Sequence, residues 1–92
     1  MDQDARVLSL EEIHVGRLVW IELDELSMNL GYAERVPDRK RKDHAMWFFG
    51  CGTYCSLPLW QHGNYWRCWN TKPSADQMKN TEWNESNEIN RC

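Results

Sequence analysis

The residues best suited to chemistry are crowded into one stretch, Trp60-Gln61-His62-Gly63-Asn64-Tyr65-Trp66-Arg67-Cys68-Trp69. In an extended segment, alternation sets Tyr65, Arg67 and Trp69 on one face and Trp66 and Cys68 on the other. Cys68 is small and readily buried, which marks its face as core and leaves Tyr65, Arg67 and Trp69 as the expected exposed face. A guanidinium between aromatic rings can pair with a phosphate while the rings stack on a base, so this face would grip a nucleotide-like small molecule. Trp60 and His62 lie beside it in sequence, and Arg39 and Arg41 of the run Arg39-Lys40-Arg41-Lys42 add cations for a phosphate. The candidate ligand-binding set is therefore Tyr65, Arg67, Trp69, Trp60, His62, Arg39 and Arg41. A structural alternative stays open for the same residues: Tyr65 and Trp69 pack beneath a C-terminal turn with Arg67 flat across them, and the basic run is a solvated loop. On the ligand-binding reading Arg67→Ala leaves stability nearly unchanged, whereas Trp66→Ala on the core face is strongly destabilising.

Cys51, Cys55, His62 and Cys68 carry the atoms of a structural zinc site, spaced C-x3-C-x6-H-x5-C. Zinc turns normally use a C-x2-C step, and Cys68 is well explained as a small buried hydrophobe, so neither a metal nor another cofactor is expected. No HExxH, no glycine-rich phosphate loop and no nucleophile elbow occurs. An enzyme, for instance a small phosphodiesterase, ranks below a binding protein.

Six tryptophans, three tyrosines and two phenylalanines in 92 residues exceed what one small core can enclose, so some rings are expected to face a ligand or a partner. The length suits a single β-rich domain over 1–83, followed by a flexible polar, asparagine-rich tail over 84–92. A net charge of −3 gives no long-range attraction to bulk nucleic acid or an anionic membrane, so any anion binding has to be local. The acidic start Met1-Asp2-Gln3-Asp4 lacks the features of a signal peptide, and no apolar run approaches the length of a membrane span. The expected setting is the cytoplasm, where the four cysteines are reduced thiols and Asn84-Glu85-Ser86 is not a glycosylation signal.

These residues need a scaffold, and the chain reads as mainly β with a minor α part. Ser9-Leu10-Glu11-Glu12 is a capping box that opens a short helix over 10–14, with Leu10 and Ile13 as its buried side and Gly16 as its stop. Strands are expected over 17–23, 31–36, 45–50 and 65–69, with a short edge segment after Cys51-Gly52-Thr53 and a turn at Gly63-Asn64. Pro37 ends the second strand, and Ser74 caps a helical turn closed near Asn80, on which Trp83 docks. This order gives a small bent antiparallel sheet or an SH3-like barrel, with a short N-terminal helix and a C-terminal helical turn.

The segments Leu8-Ser9-Leu10-Glu11-Glu12-Ile13, Leu18-Val19-Trp20-Ile21-Glu22 and Gly63-Asn64-Tyr65-Trp66-Arg67-Cys68-Trp69-Asn70-Thr71-Lys72-Pro73 together resemble a group of short β-rich phage and prophage proteins of Gram-positive gut bacteria. The resemblance spans both ends of the chain and leaves out the basic loop and the Cys51/Cys55 pair. It implies a phage accessory protein in the cytoplasm of a host bacterial cell. Such proteins commonly block host defence, which suggests sequestration of a nucleotide-like immune signal, with a homo-oligomer completing the pocket. The alternative is an inhibitor that grips a host defence protein through exposed Trp and Tyr.

Overall fold

The computed structural model describes residues 4–24 and 29–83. Strands β1 (Leu18–Leu23), β2 (Asn29–Val36), β3 (His44–Phe49), β4 (Tyr54–Pro58) and β5 (Trp66–Trp69) form one antiparallel sheet in the order β4-β3-β2-β1-β5. The fold is mainly β, as the sequence leads one to expect: a meander of four strands whose fifth returns to the first, the order of an SH3-like barrel. A 3-10 turn, Leu59–Gln61, links β4 to β5, and the helix α1 (Ala75–Asn80) follows β5. The expected tail over 84–92 and the connection over 25–28 lie outside the described residues.

The strands form where β-branched and aromatic residues alternate, and two glycines shape their ends. Ile21 pairs with Gly31 but Glu22 pairs with Asn29, so β2 carries a bulge there, and Gly31 sits at φ +104°. Only glycine takes that dihedral without strain. Gly63, at φ +98°, reverses the chain into β5 and donates its N–H to the Trp66 carbonyl at 2.7 Å.

The concave face of the sheet holds the core. Val19, Ile21, Ala33, Ala45, Trp47, Trp66 and Cys68 are essentially excluded from water, and the Trp47 and Trp66 rings meet edge to face at 6.2 Å. Leu8 and Ile13 close this core from the N-terminal segment, which runs along β5: Leu8 N–H donates to the Cys68 carbonyl and Asn70 N–H to the Arg6 carbonyl. That segment corrects one expectation. The helix expected over 10–14 is a three-residue 3-10 turn, Leu10–Glu12, because Ile13 already leaves helical dihedrals (φ −103°, ψ 50°). Leu10 therefore does not share a face with Ile13 and is 45 % exposed, and Leu8 fills the core instead. The Glu12 carboxylate still reaches back to the Ser9 N–H at 2.9 Å and also takes Arg6 Nη2 at 2.9 Å.

Candidate functional site

Arg67 and Trp69 occupy the convex face of β5, and there the structure overturns the expected exposure. Both are about 1 % exposed, because α1 and the residues after it fold back over β1 and β5. The Arg67 guanidinium is fully engaged: Nε donates to Glu22 Oε1 at 2.7 Å, Nη1 to the carbonyls of Thr81 (3.0 Å) and Glu82 (3.3 Å), and Nη2 to that of Met78 (3.1 Å). Its Cζ lies 3.9 Å from the Trp83 ring centroid and 5.2 Å from that of Trp69. Trp69 Nε1 donates to the same Glu22 oxygen at 2.8 Å. These contacts satisfy the Met78 and Thr81 carbonyls at the C-terminal end of α1, which no helical N–H reaches, and the Glu82 carbonyl just beyond it. Arg67 is thus a buried clasp that fixes the C-terminal segment to the sheet. Arg67 and Trp69 share a face opposite Cys68, as alternation predicts, but that face does not meet water, and Tyr65, which precedes β5, does not join them and lines a hollow with Trp66 instead.

The other candidate residues are not gathered around that clasp. Tyr65 stands in the turn before β5 and is 38 % exposed, lining a hollow of about 250 Å³ with Leu23, Leu57, Gln61 and Trp66. Trp60 projects from the 3-10 turn and is 59 % exposed. His62 is half-buried with its ring on Trp66 at 4.8 Å, and burial, helped by the nearby Arg35 cation, lowers its pKa from the usual value. Arg39 and Arg41 are exposed in the loop between β2 and β3. That loop is shaped by Asp38, whose Oδ1 accepts from the Lys40 and Arg41 N–H groups at 3.0 Å each. Leu59 N–H donates to the Asp43 carbonyl at 2.8 Å, tying the turn that carries Trp60 to the end of the basic loop. Among the described residues, no three metal-ligating groups converge: Cys51 is exposed at the β3–β4 turn while Cys68 is in the core.

A surface that the sequence reasoning passed over lies across the convex face at the other end of β1. Leu18 pairs with Glu34, Glu34 with Phe48, and Phe48 with Tyr54, so the four side chains form one row over β1, β2, β3 and β4. Leu18 is 60 % exposed and Tyr54 63 %, and Phe48 packs on Tyr54 with ring centroids 4.9 Å apart. Half-buried Val36, Met46 and Ser56 form the adjoining row. Beside it a hollow of about 300 Å³ is lined by Asp38, Lys40, Arg41, Met46, Tyr54 and Ser56. The signal was present in the sequence, because outward positions of half-buried strands should be polar, and Leu18 and Phe48 are not.

The row is apolar at three of its four positions, broad rather than concave, and edged by cations. Exposed apolar patches rimmed by polar residues mark interaction surfaces. No helix among the described residues is long and apolar enough to cross a membrane. Comparison with protein-family models, with curated proteins and with solved structures finds no match to this chain.

Proposed function

We propose that the protein is a non-enzymatic binding module that acts by holding a partner protein against the convex face of its sheet. The observation that carries this reading is the exposed row Leu18, Phe48 and Tyr54 across three strands, held rigid by the pairing beneath it. Aromatic residues on a rigid surface lose little entropy on binding and are enriched at interface hot spots, and the neighbouring Lys40 and Arg41 favour an acidic rim on the partner. In the setting that the phage resemblance implies, the partner is a host defence protein. The test is a Phe48→Ser, Tyr54→Ser variant: it should keep the fold and lose the partner. A variant that still binds places the interface elsewhere.

One observation supports a second reading, a nucleotide-like ligand. In the hollow between Tyr54, Lys40 and Arg41, a base can stack on the phenol while a phosphate meets the cations. The grip would then belong to Tyr54, Lys40 and Arg41, since Arg67 and Trp69 are enclosed. A ligand of this kind raises Tm by mass action, and Arg41→Ala should abolish the rise.

A further inference from the structure

The two edges of the sheet differ. The N-terminal segment covers β5, bridging Val7 to Trp69 and donating the Leu8 N–H to the Cys68 carbonyl. On the other side β4 ends the sheet, and no strand among the described residues pairs with its outer edge. The bonds at either end of the β3–β4 ladder fix its phase: Phe49 N–H donates to the Thr53 carbonyl at 2.9 Å, and Leu59 N–H to that of Asp43 at 2.8 Å. Bonded and non-bonded pairs alternate in an antiparallel ladder, so Cys55 and Leu57 turn their backbone groups to β3, while Tyr54 and Ser56 turn theirs outward. Pro58 closes this run, because it lacks an N–H and its carbonyl accepts from Trp66 Nε1 at 2.7 Å. The strand, Tyr54-Cys55-Ser56-Leu57-Pro58, carries no charge, the usual guard of a bare edge.

A hollow flanks this edge on each face of the sheet. On the convex side, about 300 Å³ is lined by Tyr54 and Ser56 together with Lys40 and Arg41. Asp38, the one acid in that wall, is already engaged by the Lys40 and Arg41 N–H groups and by Ser56 Oγ. On the concave side, about 250 Å³ is lined mainly by Leu23, Leu57 and Trp66. We infer that β4 takes an extended segment of the partner protein as an added strand, with an acidic residue on the convex side and aliphatic residues on the concave side. The N–H and carbonyl groups of Tyr54 and Ser56 bond its main chain, and the hollows select its side chains. The partner residue opposite Ser56 faces the convex hollow, where Lys40 and Arg41 meet Asp or Glu. Its neighbours, opposite Cys55 and Leu57, face the concave side, where the apolar hollow takes Val or Leu. The inference rests on the reading of the chain as a module for a partner protein and adds the manner of contact. Main-chain bonds from two residues hold a peptide weakly, so the whole partner needs the convex row as well.

The test titrates the full chain with the peptide acetyl-Thr-Leu-Asp-Leu-Thr-amide and follows amide hydrogen exchange by NMR. Saturable slowing at the Tyr54 and Ser56 N–H groups is expected, with little change at Cys55 and Leu57, whose N–H groups already face β3. The same peptide methylated on the aspartate nitrogen keeps every side chain and loses one main-chain donor, and should bind about tenfold more weakly. Replacing its aspartate with lysine should weaken binding to the parent chain, and the Lys40→Glu, Arg41→Glu variant should reverse that preference. Ser56→Pro removes an outward N–H and should abolish binding at an unchanged Tm. Leu18→Ser, Phe48→Ser disables the row and should leave peptide binding intact, so the edge and the row fail separately. Absence of saturable protection at Tyr54 and Ser56, or equal affinity for the methylated peptide, would overturn the inference. So would a dimer by light scattering in which both N–H groups are protected without peptide, since a second copy would then occupy the edge.

Discussion

Replacing Arg67 with methionine keeps the stem of the side chain and removes only the guanidinium. In the structure that group faces Glu22 in a place where both side chains are nearly excluded from water, so the substitution strands a buried carboxylate. Breaking a buried pair from one side costs about 3–5 kcal/mol. It also strips the carbonyls of Met78, Thr81 and Glu82 of their donors. At about 4–8 °C per kcal/mol for a domain of this size, Tm should fall by at least about 12 °C. The loss has a local signature. Amide exchange should quicken first at Met78 and Thr81, whose N–H groups bond within α1 to the carbonyls of Ser74 and Gln77. Combining Arg67→Met with Glu22→Gln should cost less than the sum of the two singles, by about 1–3 kcal/mol, because each single variant breaks the same pair. Thermal unfolding by circular dichroism and hydrogen exchange read by mass spectrometry give both quantities. A Tm within a few degrees of the parent, with α1 still protected, would refute the clasp and restore the picture of a surface arginine.

Three further outcomes follow from the same geometry. Burial raises the Cys68 thiol pKa and the Thr53 hydrogen bonds lower that of Cys51, so iodoacetamide should label Cys51 before Cys55 and leave Cys68 untouched until the protein unfolds; peptide mapping reads the order. Side-chain and backbone hydrogen bonds from Arg6 and Ser9 hold Glu12 at about 2, below its ordinary 4.5, so its contribution to stability is present above pH 4.5 and lost as pH falls through about 2; carboxyl titration by NMR should show the depressed value and Arg6→Ala should relax it. Ser74→Ala removes the Oγ that accepts the Gln77 N–H at 3.1 Å and should cost about 1 kcal/mol, measured by urea unfolding.

Much of the fold was legible because its signals are local. The β-branched and aromatic runs, Pro37, Gly63 and the Ser74 cap each act within a few residues, and each lies where a strand ends, a turn forms or a helix starts. What stayed hidden depends on contacts distant in sequence. Glu22 reads in a strand as an outward, solvated acid, and only the β1–β5 register, which sets it opposite Arg67, shows it as half of a buried pair. The same register explains why Arg67 and Trp69 looked exposed: whether the convex face of β5 meets water is decided by where α1 lands, and nothing within the strand encodes that. Trp60, by contrast, follows Pro58 and Leu59 in a 3-10 turn and does stand out in solvent. The convex row was within reach of alternation, but Ala45–Gly50 is so uniformly apolar that its outward positions were hard to tell from its inward ones.

The claim that the convex face is the working surface is tested most directly by placing a photo-reactive benzoylphenylalanine at position 54, and in a control at the exposed position 11 on the N-terminal turn. Irradiation in cells that hold the natural partner, followed by mass spectrometry of the adducts, shows what touches each position. The account predicts one protein adduct at position 54, lost when Leu18 and Phe48 are both changed to serine in a protein that still folds, and none at position 11. Equal adducts at both positions, or an adduct at 54 that survives those two substitutions, would contradict it.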